Sequence, residues 1–293
     1  MINKIMRHRD MLCGLASLLI AIVGLFQPYE IFTRFILSVY GILFLVWYGF
    51  REYVLSRKAR FAEAAAPISE CYTHLKIATE AIEQSNQDLA YTHIEGCLKS
   101  FANAFSMITG VHCRACIKSV DVNEAILSEA DKSAGQFDHA YVTKTFCRGS
   151  SLGADIDDVR VPISHNSDFE ILTKERTRRY WLSNDISREL GYSNSSLRHL
   201  TDTTSWKQYF KTKQCKYIST IIWPISVITP TKRKEPDDFV GFLCIDSKTR
   251  GVFNTNFDVE LGFGLAEVLF PVLYDYSQII TPIEQGTTKC LPK

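Results

Sequence analysis

Two uncharged apolar stretches near the start constrain this chain more than any other feature of its sequence. Residues 11–26 read MLCGLASLLIAIVGLF and residues 35–50 read FILSVYGILFLVWYGF. A helix needs about 20 apolar residues to cross the hydrocarbon core of a bilayer. Gln27, Pro28 and Tyr29 extend the first run to that length, and Ile31 to Thr33 extend the second. Each Leu, Ile, Phe or Val near the bilayer centre favours insertion by about 0.3 to 0.6 kcal/mol. The expectation is a two-helix transmembrane hairpin over residues 1–52, with Pro28 stopping its first helix. A buried helical hairpin of a soluble protein is the alternative.

Charge sets the expected orientation. Lys4, Arg7 and Arg9 precede the first run, Arg51, Arg57, Lys58 and Arg60 follow the second, and only Glu30 and Arg34 lie between them. The positive-inside rule then places both ends in the cytosol, as a multi-pass protein of the inner (plasma) membrane. A cleaved secretory leader would require a small-x-small site, but none follows Phe26 and a second apolar run comes at once.

The remainder reads as soluble protein. A net charge of +1 gives no electrostatic case for nucleic acid as a partner. The nine cysteines are odd in number and show no disulfide spacing, which suits a reducing compartment. Residues 53–87 read as a helical connector, broken or kinked at Pro67. Its second part runs through Tyr72, Leu75 and Ala78 to Ile82. Coiled-coil pairing with a partner chain and packing inside the domain both remain open for that part. Ser85 to Asp88 interrupts the pattern, with Asn86 or Asp88 as helix cap. Ile94, Leu98, Phe101, Phe105 and Ile108 then form one apolar stripe, read as the first helix packed on a sheet and closed by Gly110.

From residue 88 to 280 the pattern is that of an α+β domain. Strands are expected at residues 112–120, 141–147, 159–163, 180–182, 217–225 and 239–245. Ser183-Asn184-Asp185 signals a turn or helix start, and Pro224 confines its strand to an edge or a strand end. Residues 229–238 read as a solvated hairpin loop. A closing helix is expected after caps at Asn254 to Asn256. Its buried stripe would be Leu261, Leu265, Val268, Val272 and Tyr276, and Pro271 would kink or end it. Residues 281–293 form a tail.

Helix, strand pair, irregular middle, two strands, helix: this order resembles the GAF domain family. The segment Gly241-Phe242-Leu243-Cys244-Ile245-Asp246-Ser247, followed by Gly251-Val252-Phe253-Asn254, looks like that family's closing strand and helix. Ser219 to Ile225 looks like its preceding strand. The resemblance implies a six-stranded antiparallel sheet with helices on one face. On the other face, roofed by the segment 149–216, it implies a small-molecule pocket. Members bind cyclic nucleotides, bilins, haem or other metabolites. Asn254, Phe257, Asp258 and Glu260 only loosely echo the Asn-Lys-Phe-Asp-Glu signature of the cyclic-nucleotide subset, and no cysteine shows a bilin-attachment pattern, so the cofactor is left unknown.

Cys113 and Cys116 form a lone CxxC. Residues three apart on a strand point to opposite faces, so they read as two separate core thiols. Arg148-Gly149-Ser150-Ser151-Leu152-Gly153 lacks the P-loop lysine and reads as a loop. Neither HExxH nor G-x-S-x-G occurs, so no metal or catalytic residue is assigned. The candidate ligand contacts are Arg179, Trp181, Asn184, Asp185, Trp206 and Tyr209, with Thr220 and Asp246 from the closing strands. Arg can fork onto carboxylate or phosphate, and rings can cover a planar group. A solvated helix face with ordinary aromatic packing accounts for the same residue types. The expected function is a membrane-anchored, non-enzymatic sensor that binds a small molecule or a partner and signals through its helices. Its partners would be the lipid bilayer and a second copy or another protein. The alternative is a membrane effector whose hairpins assemble and perturb the bilayer when the domain is triggered.

Overall fold

The computed structural model describes Leu18, Ile22 and residues 31–122, 141–149, 161–175, 177–194, 217–226 and 239–286. The chain divides into two compact units, Met1–Arg60 and Phe61–Lys293.

In the first unit, helix α1 starts at Ile31 and runs on to Glu63. Phe35, Tyr40, Ile42, Leu43, Leu45, Val46, Trp47 and Phe50 are all more than half exposed. Five of them fall within six consecutive residues, so the apolar surface wraps around the helix rather than forming one stripe. Among the described residues no helix is long and apolar enough to cross a membrane. The expected transmembrane hairpin thus has no support in the described residues, and apart from Leu18 and Ile22 its first helix lies outside them.

The second unit begins at Phe61, well before the expected start of the domain at residue 88. Helix α2 (Ala65–Glu83) buries Cys71, Leu75, Ala78, Ala81 and Ile82. It packs on α3 (Gln87–Thr109) and on α5 (Asp258–Gly286). The apolar side of the connector is therefore used inside the domain. Helix α3 buries the whole expected stripe, Ile94, Leu98, Phe101, Phe105 and Ile108. Asn86 caps its start by accepting the Leu89 N–H at 3.1 Å. Gly110 closes it at φ 75°, a left-handed position that glycine takes at no steric cost.

Strands β1 (Cys113–Val122), β2 (Tyr141–Gly149), β3 (Val161–Pro162), β4 (Trp181–Ser183), β5 (Ser219–Ser226) and β6 (Phe239–Ser247) form one antiparallel sheet in the order β3-β2-β1-β6-β5-β4. This is the six-stranded arrangement the resemblance implied. Pro224 pairs with Phe242 on one side, while β4 pairs only up to Ile222 on the other. That leaves a local edge where a missing N–H costs nothing.

Helices α3 and α5 cover the first face of the sheet. Ala115, Ile117, Ile221, Trp223, Ile225, Leu243 and Ile245 enter that core. Trp223 is its centre: its ring meets Phe101 and Phe105 edge-on, and its indole N–H donates to the Val259 carbonyl at 2.9 Å. Helix α5 begins where the Asp258 carboxylate accepts the Asn254 N–H at 2.7 Å. Two expectations for this helix need correction. It does not end at Pro271 but runs on to Gly286; Pro271 and Glu267 are both exposed, so the Glu267 carbonyl left without its N–H partner faces water. Its core positions are Leu265, Leu269, Val272 and Tyr276, while Val268 is exposed, because the stripe advances by four rather than three residues at that turn.

Candidate functional site

The second face of the sheet carries polar chemistry. Directly opposed residues of an antiparallel ladder share a face, so the register lays the side chains out in rows. One row reads Arg114, Asp246, Thr220, Ser183; the next reads Arg148, Cys116, Cys244, Ile222, Trp181; the third reads Thr145, Lys118, Phe242, Pro224. Thr145 belongs here because of a bulge. Ile117 faces Cys147 and Lys118 faces Thr145, leaving Phe146 as the extra residue. Strict alternation back from Cys147, which lies in the helix-side core, would have turned Thr145 and Thr143 toward the helices. The bulge sends both to the second face, where the Lys118 ammonium donates to the Thr145 hydroxyl.

The roof is the segment after β3. Helix α4 (Ser167–Lys174) and a short 3-10 turn at Ile186–Arg188 bury Phe169, Leu172 and Ile186 against Ile222, Phe242 and Cys244. Phe169 stacks on Phe242 with ring centres 4.3 Å apart, and Trp181 stacks on Tyr192 at 5.6 Å.

Four polar groups, two buried and two partly buried, meet within this apolar shell. The Tyr192 hydroxyl donates to the Asp168 carboxylate at 2.9 Å. The Asn194 amide donates to Tyr192 at 3.1 Å and to Tyr217 at 2.7 Å, and the two tyrosine oxygens are 3.2 Å apart. Asp168 is 1% exposed. Burial lifts its carboxyl to about 6, against the Tyr192 hydroxyl and the Phe169 N–H that favour the ion. Burial likewise raises both phenols. Asp246, partly buried, is the second carboxyl on this face. Burial pushes it up, while Arg114, 3.8 Å away, and the Thr220 hydroxyl pull the other way. Aromatic plates, two carboxyls poised by burial and a set of hydroxyl and amide groups are what orients a small polar molecule in an otherwise apolar site.

Of the eight residues expected to contact a ligand, Trp181, Thr220 and Asp246 share this face. Three others are engaged elsewhere. Arg179 forks onto Glu260 at 3.5 and 3.2 Å and lies over the Phe263 ring at 3.8 Å, so it packs on α5. Asn184 is a clamp: its amide donates to the Phe253 carbonyl at 2.8 Å and accepts the Phe253 N–H at 2.9 Å. Asp185 pairs with Arg188 at 3.1 Å and Arg250 at 3.4 Å. Trp206 and Tyr209 lie outside the described residues. The sequence reading missed Asp168, Tyr192, Asn194 and Tyr217. Asp168, Tyr192 and Asn194 lie in the irregular middle, where polar and aromatic residues are common, and Tyr217 opens the expected strand at 217–225.

The CxxC cysteines separate as expected, Cys113 toward the helices and Cys116 toward the second face. Among the described residues no group of three or more His, Cys, Asp or Glu is placed to hold a metal ion.

No family model and no curated protein matches the sequence. The solved structures similar to this chain include several GAF domains. The GAF domain of an Acinetobacter phosphoenolpyruvate-protein phosphotransferase is 12% identical over 72% of this chain and 97% of that chain, with a TM-score of 0.38. The phycoerythrobilin-bound GAF domain of a cyanobacterial phytochrome is 11% identical over 71% and 96%, with a TM-score of 0.39. The GAF-B domain of DevS from Mycobacterium smegmatis is 10% identical over 64% and 96%, with a TM-score of 0.33. The likeness is too distant to transfer residues, and the site stands on its own geometry.

Proposed function

We propose that this chain is a GAF-like sensor whose second sheet face receives a small molecule and whose N-terminal apolar segment anchors it to a lipid bilayer. The observation that carries the ligand reading is the network of Asp168, Tyr192, Asn194 and Tyr217. A buried carboxyl lifted to about 6 costs stability at neutral pH, and perturbed groups of this kind cluster at functional sites. The network also lies in the roof over the sheet, so a ligand that contacts it would order the roof segment and bias the domain toward one state.

The anchoring reading rests on the two uncharged runs of the sequence and on the all-round exposure of large apolar side chains from Phe35 to Phe50. Surface of that extent calls for lipid or a partner to cover it. The output would then be another protein or a second copy, reached through the helices.

Two experiments test the proposal. Full-length protein expressed in bacteria should sediment with membranes on ultracentrifugation and enter the supernatant only with detergent; recovery in the detergent-free supernatant would remove the anchor. Detergent-solubilised protein should melt at a higher temperature in a protein-free small-molecule extract of the same cells. Thr220→Val and Trp181→Ala should lose that rise. An extract that stabilises the wild type and both variants equally would place the effect away from this face.

A further inference from the structure

Cys116 and Cys244 stand directly opposite each other on β1 and β6. Opposed residues of an antiparallel ladder have Cα atoms about 4.5 or 5.5 Å apart and side chains on one face. That lies inside the range of about 4.4 to 6.8 Å that a disulfide bridges. Both cysteines are free in this structure. Their flanks differ sharply. Arg114 and Lys118 lie two residues either side of Cys116 on its strand, and Arg148 faces it from β2. Cys244 lies between Phe242 and Asp246 on β6, with Ile222 across from it. Cys116 is partly exposed and Cys244 is 4% exposed.

We propose that Cys116 and Cys244 form a redox-active dithiol that a hydroperoxide converts reversibly into an intramolecular disulfide on the second face of the sheet. Cys116 is the attacking sulfur. The neighbouring Cys244 thiol holds its thiol below the ordinary range, and Lys118 and Arg148 act in the same direction. The Cys116 thiolate attacks the distal peroxide oxygen. The O–O bond breaks, the leaving alkoxide (or hydroxide) takes a proton, and Cys116 becomes a sulfenic acid. Burial holds the Cys244 thiol well above its ordinary range, so it keeps its proton until it is used. Its sulfur then attacks the Cys116 sulfur, the S–O bond breaks, and the Cys244 proton leaves with the hydroxyl as water. In sum, two thiols and one hydroperoxide give one disulfide, one alcohol and one water. The thiols lose two electrons and the peroxide gains them. A cellular dithiol restores the pair by exchange.

The other described cysteines do not share this geometry. Cys113 and Cys147 are buried on the helix side, and Cys71 and Cys97 are 2% and 0% exposed between α2 and α3. The proposal rests on the strand register and on the charges and exposure around Cys116, and holds whether or not the face takes a small molecule.

The test uses full-length protein in detergent. It is treated with hydrogen peroxide while folded, then denatured, blocked with N-ethylmaleimide and digested with trypsin without reductant. The expected product is peptide 115–118 (ACIK) joined to peptide 235–248 (EPDDFVGFLCIDSK), lighter than their sum by two hydrogen atoms and split by dithiothreitol. Cys116→Ser should abolish it and Cys113→Ser should keep it. Cys244→Ser should instead leave a sulfenic acid on peptide 115–118, trapped by dimedone. The proposal is overturned if both peptides carry maleimide in full after peroxide, if Cys116 is joined to a different cysteine, or if Cys244→Ser gives no dimedone adduct.

Discussion

The Nδ1 atoms of His74 on α2 and His93 on α3 face each other at 3.0 Å. One nitrogen must donate and the other accept, so the contact exists only while at least one ring is neutral. The His74 ring also lies over Gly96, where any Cβ would fall 2.6 Å from it. Burial and the facing His93 lower the His74 pKa, against Glu70, which raises it. An unfolded histidine takes its proton near 6.5, whereas folded His74 takes it only at lower pH. In that window the unfolded state binds more protons, so stability falls as pH drops below about 6.5. Thermal melts between pH 7.5 and 5.5 (roughly one unit either side of the free value) should show this decline. His93→Gln should flatten it. An unchanged pH slope in that variant would remove the pair from the account.

Asp168 titrates with the opposite sign. Its folded pKa is raised to about 6 from 3.8, so the stability it lends is complete below pH 3.8 and is lost as pH rises through 6. Ionising this fully buried group at pH 7 costs about 3 kcal/mol. Asp168→Asn keeps a polar group beside Tyr192 and removes that cost. The variant should be up to about 3 kcal/mol more stable than wild type at pH 7, with the gain gone near pH 4. Urea denaturation at the two pH values reads the difference, and a loss of stability at pH 7 would contradict it. A gain would mark Asp168 as kept for binding rather than for the fold, in line with the usual trade of stability against function.

Gly262 on α5 rides on the Trp223 ring. A Cβ there would sit 2.2 Å from Cζ2 and 2.4 Å from Cε2 and Cη2 of that indole. Gly262→Ala should therefore lift α5 from the sheet and cost about 1 to 3 kcal/mol. Trp223→Phe should cost a similar amount, through the lost bond to Val259 and the emptied space. A phenyl ring lacks the edge that Gly262 touches. The double variant should thus be clearly less destabilised than the sum of the singles. Strict additivity in the denaturation free energies would show that the two sites do not meet.

What could be read from the sequence follows from how local its physical cause is. The Asn86 cap, the Gly110 stop and the α3 stripe each depend on residues within a few turns, and all three appear in the fold. The two closing strands are apolar enough to be recognised alone. The bulge at Phe146 has no such signal, yet it decides which face Thr143 and Thr145 occupy. Asp168 has no local signal that sets it apart from the other polar residues of the irregular middle. Its burial comes from Tyr192, 24 positions away, and from a sheet built by strands before and after it. Arg179 carried the residue type suited to an anion, but Glu260 and Phe263 on α5 hold it instead. The choice of Val268 over Leu269 shows the same limit, since a step of three or four residues on a helix is settled by the surface it meets.

Native mass spectrometry of the full-length protein, released from detergent micelles after incubation with a small-molecule extract of its host cells, tests the central claim most directly. The account predicts a single bound small molecule per chain on the wild type, and its loss in Thr220→Val and Trp181→Ala. A wild-type chain that carries no added mass, or variants that keep the same adduct, would contradict it.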